Sequence, residues 1–343
     1  MKTIIIPKPG QVEIIETPMP EPKEGEALLK VLRGGICGSD LGTYRGTFAY
    51  ASYPRIPGHE FSARIVRLNG DASSFGLKEG MTVTCNPYFN CKTCYSCRRG
   101  LVNCCEHNET LGAQRDGAFS EYITMPFERI YDGKGLSPLE LAAIEPFCIS
   151  YHGAVTRGRV KAGDNVLVIG AGTIGALAAV AAKSCGAKVY IADVAKKKID
   201  YAVESFHLDG GILNEGDGFI EKCFDITCGQ GFDVAIEAVG LPSTFQNAID
   251  AAAFGGRVVL IGVGKKNLDF NFTLLQKKEL NVYGSRNALK EDFLNLIDLV
   301  KSGKVDLKKA VTNIYKFEDA AKAFHDFATY GADMLKVEIE FPE

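Results

Sequence analysis

The sequence predicts an α/β protein with two domains, a barrel-like domain of β-strands and a doubly wound domain with a parallel sheet. The chain has 343 residues, a length typical of two globular domains. Up to about residue 145, short β-type runs alternate with turns that contain Gly and Pro. From about residue 150, strand-like and helix-like segments alternate, which is typical of βαβ units. This change of pattern predicts the domain boundary.

The predicted elements follow this division along the chain. The first domain covers residues 1–147, and its β-type runs are "ALLKVL", "SARIVRL", "MTVTCN" and "SEYITMP". The second domain covers residues 148–286, with strands such as "NVLVIG" and "AKVYIAD" and helices such as "TIGALAAVAAKSCG" and "KKKIDYAVES". Residues 287–343 carry two helical stretches and a terminal strand, "MLKVEIEF". We expect this last segment to return to the first domain.

Composition and charge exclude several kinds of partner. The formal net charge is -3 and like charges do not occur in long blocks, so we expect no nucleic acid and no membrane as a partner. This charge distribution is more consistent with a small-molecule ligand than with a nucleic acid or a membrane. The N-terminal "MKTIIIPKPG" is too short an apolar stretch for a secretory signal, and we expect a cytoplasmic protein. The longest apolar run, Val166–Ala182, contains three glycines and fits a strand, a turn and a helix better than a membrane span.

The cysteines are concentrated in one short segment. The chain has 11 cysteines, an odd number, and no predicted signal peptide, so a disulfide framework is not expected. Within residues 85–110 four of them follow the pattern Cys-x2-Cys-x2-Cys-x7-Cys, which lets a short loop surround one ion at about 2.3 Å. Four thiolates without an open position describe a structural zinc site. The predicted ligands are Cys91, Cys94, Cys97 and Cys105.

Alternatives remain for this segment. A bacterial iron–sulfur pattern would place three residues before the fourth cysteine and a proline after it, whereas here Glu106 follows. Cys104 stands beside Cys105 and competes with it for the fourth position. Cys85 lies outside the spacing, and its neighbours "MTVT" indicate a buried strand residue.

A glycine-rich turn follows the strand "NVLVIG". The sequence Gly170-Ala-Gly172-Thr-Ile-Gly175 opens an Ala-rich helix, the context in which such glycines bind the pyrophosphate of a dinucleotide at the helix N-terminus. Asp193 ends the next strand, where its carboxylate can accept hydrogen bonds from the adenosine ribose and repel a 2′-phosphate. This favours NAD over NADP. Further candidate cofactor contacts are Thr173, Ile174, Lys198, Val239 and Val263.

Other roles remain open for the residues near Asp193. The carboxylate could cap the helix that begins "AKKKID", because Asp is a common N-cap residue. The lysines at positions 196–198 could accept a phosphate, which would favour NADP instead.

Five motifs together resemble a known family. In order they are "GGICGSD", "IPGHEF", the four-cysteine lobe, "AAIEPF" and "VLVIGAGTIG". They are similar to those of the zinc-dependent medium-chain alcohol/polyol dehydrogenase family over essentially the whole chain. "IEPFCIS" and "GSRNA" resemble members that act as L-galactonate 5-dehydrogenase, galactitol-1-phosphate dehydrogenase and sorbitol dehydrogenase. The resemblance implies a GroES-like β-barrel catalytic domain, a Rossmann NAD-binding domain and an active site in the cleft between them.

A second metal site is predicted at Cys37 and His59. Each residue alone has an ordinary explanation, as a small buried cysteine or a capping histidine, but both are good zinc ligands in turn-rich segments. The resemblance implies that they bind a catalytic zinc together with a carboxylate. Glu60 adjoins the histidine, and Glu145 occupies the family's remaining ligand position. The choice between these two carboxylates stays open.

The resemblance also implies the chemistry. An open zinc site lowers the pKa of bound water from about 15.7 to about 7, and a bound secondary alcohol is expected to respond in the same way. Hydride then passes to C4 of the nicotinamide. Ser39 matches the first hydroxyl of the family's proton relay. Gly42 stands where many members carry a histidine, so an imidazole at the end of the relay is not expected here.

Three polar residues are candidates for substrate contact. They are Tyr44, Arg115 and Arg286, and the last lies close to a substrate-contacting arginine of sorbitol-dehydrogenase-like members. A guanidinium suits hydroxyls, carboxylates and phosphates, although Arg286 could equally form a salt bridge at the domain interface. The chain has no tryptophan to wall an apolar pocket.

We therefore expect a zinc-dependent enzyme with two zinc ions and NAD, which oxidises a secondary hydroxyl of a sugar acid or polyol. An L-threonine 3-dehydrogenase is the alternative within the family. A zinc-free quinone or enoyl reductase shares the fold but would lack this set of ligands, and a sensor protein would be expected to have lost some of them. A homodimer or homotetramer is expected.

Overall fold

A computed structural model describes residues 1–216, 218–264 and 266–342. The chain divides into two compact units, one of Met1–Glu145 with Leu289–Glu343 and one of Pro146–Ala288. The boundaries expected from the sequence, after residues 147 and 286, lie close to these limits.

The strands are short in both units. Their bounds are β1 Lys2–Ile5, β2 Glu13–Glu16, β3 Glu26–Ile36, β4 Glu60–Asn69, β5 Thr82–Cys85, β6 Tyr88–Phe89, β7 Glu109–Thr110, β8 Tyr122–Pro126, β9 Ile130–Asp132, β10 Asn165–Ile169, β11 Lys188–Asp193, β12 Gly210–Leu213, β13 Phe232–Glu237, β14 Ala252–Leu260, β15 Asn281–Gly284, β16 Val311–Lys316 and β17 Lys336–Glu340.

The helices occupy mainly the second unit and the C-terminal segment. Their bounds are α1 Gly38–Arg45, α2 Tyr95–Arg98, α3 Pro138–Ala142, α4 Ile144–Tyr151, α5 Thr173–Ser184, α6 Lys196–Phe206, α7 Phe219–Ile226, α8 Pro242–Ala251, α9 Thr273–Lys277, α10 Lys290–Lys301 and α11 Ala320–Tyr330.

The main sheet of the first unit is mixed. Its strands run in the order β16-β17-β3-β4-β5-β9, and β8 also pairs with β3. The β16–β17 pair is parallel and the other pairs are antiparallel. Two small antiparallel sheets, β1–β2 and β6–β7, complete the unit. The terminal strand β17, predicted from "MLKVEIEF", joins this sheet directly beside β3.

One buried aromatic ring of the first unit lies directly against two glycines. Phe119 is fully buried. A Cβ on Gly34 would lie 2.5 Å from its ring, and a Cβ on Gly58 would lie 2.1 Å from it. Gly58 also has a φ of +97°, a conformation that side chains rarely adopt. The absence of side chains at these two positions lets the end of β3 and the segment before β4 approach each other.

The second unit has a parallel sheet with the classical doubly wound strand order. Its six strands run β12-β11-β10-β13-β14-β15, and every pair is parallel. The strand β10 is buried almost throughout, as expected for a central parallel strand covered on both faces. The predicted fold class is therefore confirmed.

The long apolar run at residues 166–182 raised the question of a membrane-spanning helix. Among the described residues, the helices are all too short or too polar to cross a bilayer.

Candidate active site

Three potential metal ligands meet at one end of β3 and β4. Cys37 follows β3 and precedes α1, His59 precedes β4, and Glu60 is the first residue of β4. One ligand atom from each lies within 4.8 Å of the others. The antiparallel pairing that sets Gly35 opposite Glu60 brings the two segments together.

A buried carboxylate holds these segments in place. Asp40 is 1% exposed, and it accepts hydrogen bonds from the backbone N–H of Cys37 at 2.9 Å and of Gly58 at 3.1 Å. Burial raises the pKa of Asp40, while nearby His59 favours its ionised form. Sequence reasoning missed this residue. The available signal was its position three residues after Cys37, which is the N3 position of a capping box.

Glu60 belongs to a buried ion pair. The Nζ of Lys336, on β17, lies 2.8 Å from Oε1 and 2.6 Å from Oε2 of Glu60 and also donates to the carbonyl of Ile36 at 3.1 Å. Lys336 is 3% exposed and Glu60 is 1% exposed. Burial lowers the pKa of Lys336, but the negative charges of Glu60, Cys37 and Glu145 together outweigh burial and raise the pKa, so the ammonium stays charged. The sequence provided no sign of this pair.

Glu145 lies nearby, outside the group of three ligands. It stands in the first turn of α4, it is buried, and it accepts a hydrogen bond from the Tyr88 hydroxyl. Burial raises the pKa of Glu145 to about 7, with the negative charge of Glu60 adding to the effect and the positive charge of His59 opposing it. Of the two predicted carboxylates, the structure groups Glu60 with Cys37 and His59.

The donor set fits a zinc ion. A thiol, an imidazole and a carboxylate are ordinary zinc ligands, and three protein ligands leave a position open for water or substrate. His59 is 7% exposed, and its Nδ1 is buried without a hydrogen-bond partner among the described residues. The thiolate of Cys37 and the carboxylates of Asp40 and Glu145 raise the pKa of His59 against the opposing effect of burial. The negatively charged groups around His59 favour the binding of a cation at this position.

Ser39, the predicted first hydroxyl of the proton relay, lies in α1 together with Gly42, which stands where many members carry a histidine. Ser39 is half-buried, and its backbone carbonyl accepts a hydrogen bond from the Thr43 hydroxyl at 3.1 Å. At Gly42 a Cβ would lie 3.1 Å from the Cβ of Phe48. A histidine at this position would therefore have to displace Phe48, which gives a steric reason for the glycine.

The four-cysteine segment forms a separate cluster. The Sγ atoms of its predicted ligands lie within 4.8 Å of one another, and α2 and the β6–β7 hairpin frame them. Backbone N–H groups donate to two of the sulfurs, that of Cys91 to Cys105 at 3.2 Å and that of Cys94 to Cys91 at 3.3 Å. Hydrogen bonds from Thr93 and Cys94 lower the pKa of Cys91 to about 5, which favours the thiolate. The four cysteines that could hold a metal ion here are Cys91, Cys94, Cys97 and Cys105.

The two remaining cysteines of this segment lie elsewhere. Cys104 is exposed and stands outside the cluster. Cys85 is 1% exposed at the end of β5, and burial raises the pKa of its thiol.

The glycine-rich turn of the second unit joins β10 to α5. Gly170 has a φ of +107°, and a Cβ on Gly175 would lie 1.8 Å from the carbonyl oxygen of Gly170. Gly172 is the N-cap residue of α5, and no protein atom lies within 4 Å of the position of its missing Cβ. The open space above Gly172, at a helix N-terminus, suits the pyrophosphate of a dinucleotide. Thr173 and Ile174 form the first turn of α5.

Asp193 braces the glycine-rich turn. Its carboxylate accepts hydrogen bonds from the N–H of Ala171 at 2.7 Å and of Ala195 at 2.9 Å. Ala195 is itself the N-cap residue of α6 and makes no side-chain cap, so Asp193 does not occupy the capping position considered from the sequence. Of the nearby lysines, Lys196 pairs with Asp200 at 2.6 Å.

The other predicted cofactor contacts differ in exposure. Lys198 is half-buried in α6. Val239 and Val263 follow β13 and β14 and are 42% and 80% exposed, which is unusual for valine and leaves them available to a ligand.

The predicted substrate contacts are scattered. Tyr44 is half-buried, and its ring packs against that of Phe324, a core residue of the first unit, at 5.9 Å. Arg115 lies over the ring of Phe89 at 3.8 Å and pairs with Glu109 at 3.6 Å. Arg286 is an exposed residue of the second unit.

Comparisons with known proteins agree with these two units. Residues 23–134 match the alcohol dehydrogenase GroES-like domain, and residues 173–302 match the zinc-binding dehydrogenase family. L-galactonate-5-dehydrogenase of Escherichia coli K12 is 34% identical over 99% of both chains. L-threonine 3-dehydrogenase of Pyrococcus horikoshii is 33% identical over 94% of both chains.

Solved structures with bound cofactor resemble the whole chain. The alcohol dehydrogenase rspB of Escherichia coli CFT073, in complex with NADH, superimposes with a TM-score of 0.90 at 31% identity and 99% coverage of both chains. A zinc-binding dehydrogenase of Sinorhizobium meliloti 1021, bound to NADP, gives a TM-score of 0.88 at 27% identity, covering 99% of this chain and 98% of that one.

Proposed function

Because this chain belongs to the zinc-type medium-chain alcohol dehydrogenase family, we propose that it oxidises a secondary hydroxyl of a sugar acid or polyol with NAD, giving the keto product. The observation that carries the proposal is the group of Cys37, His59 and Glu60, a zinc donor set with room for a substrate oxygen.

The residues of the site have distinct tasks in this proposal. Zinc, when bound, acts as a Lewis acid that lowers the pKa of the substrate hydroxyl. Cys37 and His59 hold the ion, and Asp40 keeps their two segments at a constant separation through backbone hydrogen bonds. The Ser39 hydroxyl is the first acceptor of the substrate proton. Lys336 balances the buried charge of Glu60 and fixes its carboxylate beside Cys37 and His59.

NAD is the proposed hydride acceptor because of Asp193. The backbone N–H groups of Ala171 and Ala195 fix its carboxylate beside the glycine-rich turn. A carboxylate held there suits the ribose hydroxyls of NAD and repels the 2′-phosphate of NADP.

Replacing Asp193 tests this preference. We expect wild type to have the higher kcat/KM with NAD, and Asp193→Ala to lower the NAD/NADP ratio roughly 10- to 100-fold, because hydrogen bonds to a charged group contribute about 1.5–3 kcal/mol. Asp200→Ala is the matched control, since Asp200 is an exposed carboxylate of the neighbouring helix α6 that pairs with Lys196. Its ratio should equal that of wild type. Equal use of both cofactors by wild type contradicts the proposal.

A polyhydroxylated substrate is supported by the polar surroundings of the metal ligands. The carboxyl group of Glu145 and the hydroxyl group of Tyr88 lie in this buried region. The chain contains no tryptophan. A substrate with several hydroxyls can exchange hydrogen bonds with such polar groups, whereas a simple alcohol offers a single hydroxyl. Similarity to L-galactonate-5-dehydrogenase supports the same substrate class.

A screen of NAD reduction over aldonates, alditols, alditol phosphates, threonine and simple alcohols tests the substrate class. We expect the highest kcat/KM with an aldonate or alditol. If Arg286 binds an anionic group, Arg286→Ala should lower kcat/KM for aldonates or phosphates at least about 10-fold more than for neutral alditols, because a charge-assisted bond is lost.

Arg115→Ala serves as the control for Arg286→Ala in this screen. Arg115 packs on Phe89 and pairs with Glu109, so its loss should change all substrates alike. If kcat/KM were highest with ethanol or another simple alcohol, the proposed substrate class would be contradicted, while the zinc and NAD assignments would stand.

L-threonine is the alternative substrate. Its support is the 33% identity with L-threonine 3-dehydrogenase of Pyrococcus horikoshii. The same screen distinguishes a threonine dehydrogenase from a sugar-acid or polyol dehydrogenase, because only a threonine dehydrogenase would have its highest kcat/KM with threonine. The expected homodimer or homotetramer stays a prediction.

A further inference from the structure

The last residue of β13 holds two loops of the second unit. Through its backbone carbonyl, Glu237 accepts hydrogen bonds from the N–H groups of Ile261 at 2.9 Å and Gly262 at 3.0 Å, just after the end of β14. Through Oε1 of its carboxylate, it accepts hydrogen bonds from the N–H groups of Val239 and Gly240, both at 2.8 Å. The loops that follow β13 and β14 are therefore both fixed by one residue.

The carboxylate of Glu237 is buried and has several hydrogen-bond donors. Glu237 is 2% exposed. The hydroxyl of Thr244, in the first turn of α8, donates a third hydrogen bond to Oε1 at 2.7 Å. A buried carboxylate needs donors that replace the lost water, and here three donors converge on one oxygen. Because hydrogen bonds to a carboxylate are stronger than those to a neutral acceptor, they hold the loop after β13 firmly.

Two glycines allow the loops to lie directly against each other. A Cβ on Gly262 would lie 2.5 Å from Oε2 of Glu237 and 2.8 Å from the backbone nitrogen of Val239. Gly240 has a φ of +83°, and a Cβ there would lie 2.6 Å from the carbonyl oxygen of Val263. Because no side chain separates the two backbones, a displacement of one loop displaces the other.

Each of these loops carries an exposed valine. Val239 is 42% exposed and Val263 is 80% exposed. The position of the missing Cβ of Gly170 lies 2.7 Å from Cγ2 of Val239, so Val239 lies against the first glycine of the glycine-rich turn. That turn is the place proposed for the pyrophosphate of the dinucleotide. The two valines thus stand on adjoining loops beside the proposed cofactor position.

We propose that Glu237 is a positioning residue for the dinucleotide. It acts through the two loops and does not contact the cofactor itself. Its hydrogen bonds hold Val239 and Val263 in place before the cofactor binds, so that the loops lose little conformational freedom on binding. The inference rests on the proposed use of NAD.

The test is the affinity of folded protein for NADH, measured by isothermal titration calorimetry without substrate. We expect Glu237→Ala to raise the Kd about 10-fold, because the three hydrogen bonds to the carboxylate are lost. Glu237→Gln keeps an acceptor oxygen and should give an intermediate Kd. A wild-type Kd in both variants overturns the proposal, because a merely structural role would lower the thermal midpoint and leave the Kd unchanged.

Thr244→Val tests the same contact if Glu237→Ala does not fold. It removes one of the three donors and keeps the shape of the side chain, so the Kd for NADH should rise about 2- to 5-fold. An unchanged Kd in Thr244→Val contradicts the proposal.

Asp233→Asn is the matched control for the Glu237 variants. Asp233 lies near the other end of β13, where its carboxylate accepts a hydrogen bond from the N–H of Asn165 at 2.8 Å. This variant should keep the wild-type Kd for NADH. A rise as large as that in Glu237→Gln would overturn the proposal, because any disturbance of β13 would then weaken binding.

A double-mutant cycle examines whether Glu237 acts through the valines. Val263→Ala removes apolar surface from the loop after β14 and should itself raise the Kd for NADH. If Glu237 acts by placing this valine, Glu237→Gln should raise the Kd by a smaller factor in Val263→Ala than in wild type. Equal factors in the two backgrounds contradict the proposal.

Cofactor binding by wild type separates this inference from the proposed function. If wild type bound neither NADH nor NADPH, the proposed function would be contradicted. Binding of NADH by wild type with the same Kd in the Glu237 variants would contradict only the role of Glu237.

Discussion

His59→Ala is expected to reduce kcat/KM about 10³-fold and to remove one of two zinc ions per chain. His59 supplies the only imidazole of the donor set, and its loss leaves Cys37 and Glu60, too few ligands to retain the ion. Metal catalysis contributes several kcal/mol to transition-state stabilisation, and about 1.4 kcal/mol corresponds to a factor of ten in rate. Steady-state kinetics and elemental analysis of protein purified without chelator measure the two effects.

His325→Ala is the control for this experiment. His325 is an exposed residue of α11, so its variant should keep both zinc ions and the wild-type rate. Full zinc content in His59→Ala, or a rate close to wild type, would disprove the role given to the histidine. A wild-type protein with one metal ion per chain, or with iron, would contradict the two-zinc assignment.

Cys94→Ser is expected to destabilise the protein, with a thermal midpoint lower by roughly 10 °C or more. Each ligand of a closed zinc site is needed for affinity, and binding of a structural metal is coupled to folding of the segment that surrounds it. Residues 91–105 contain only the short helix α2 as a described α-helix, so without the ion this segment has little else to order it. Differential scanning calorimetry, with zinc content measured on the same samples, gives both quantities.

The neighbouring cysteine provides a matched control for this substitution. Cys104 lies in the same segment but is exposed and outside the cluster, so Cys104→Ser should keep two zinc ions and the wild-type midpoint. Zinc loss in Cys104→Ser would mean that this residue, rather than Cys105, is the fourth ligand. If Cys94→Ser were as stable as wild type but inactive, the four-cysteine cluster would have a catalytic role rather than the structural role assigned to it.

Local patterns in the sequence were the basis for predicting the cysteine cluster and the glycine-rich turn. The spacing of Cys91, Cys94 and Cys97 places three thiols on one short loop, and the structure brings them together with Cys105. The glycine-rich turn was predictable for the same reason, because a strand, three glycines and a helix are consecutive in the chain. Short β-type runs between turns predicted a barrel-like β domain, and alternating strands and helices predicted a parallel sheet, which the second unit contains.

Other contacts join residues that are far apart in the sequence. Lys336 is 276 positions from Glu60, and nothing in "MLKVEIEF" indicates that its charged residues face a metal site. Only the pairing of β17 with β3, and of β3 with β4, sets these residues on one face. The contact between Tyr44 and Phe324 is another example, since these rings lie far apart in the sequence and 5.9 Å apart in the fold.

The sequence by itself determined the fold class, the family and the residue types available for metal and cofactor, because these depend on spacing within short segments and on the period of apolar residues. Only the tertiary structure decided that Glu60 lies beside Cys37 and His59, that Asp40 braces these two residues, and that Lys336 pairs with Glu60. The physical reason is that strand register and burial set these contacts. Both arise from the packing of the whole chain, and burial then alters the charge state of each group.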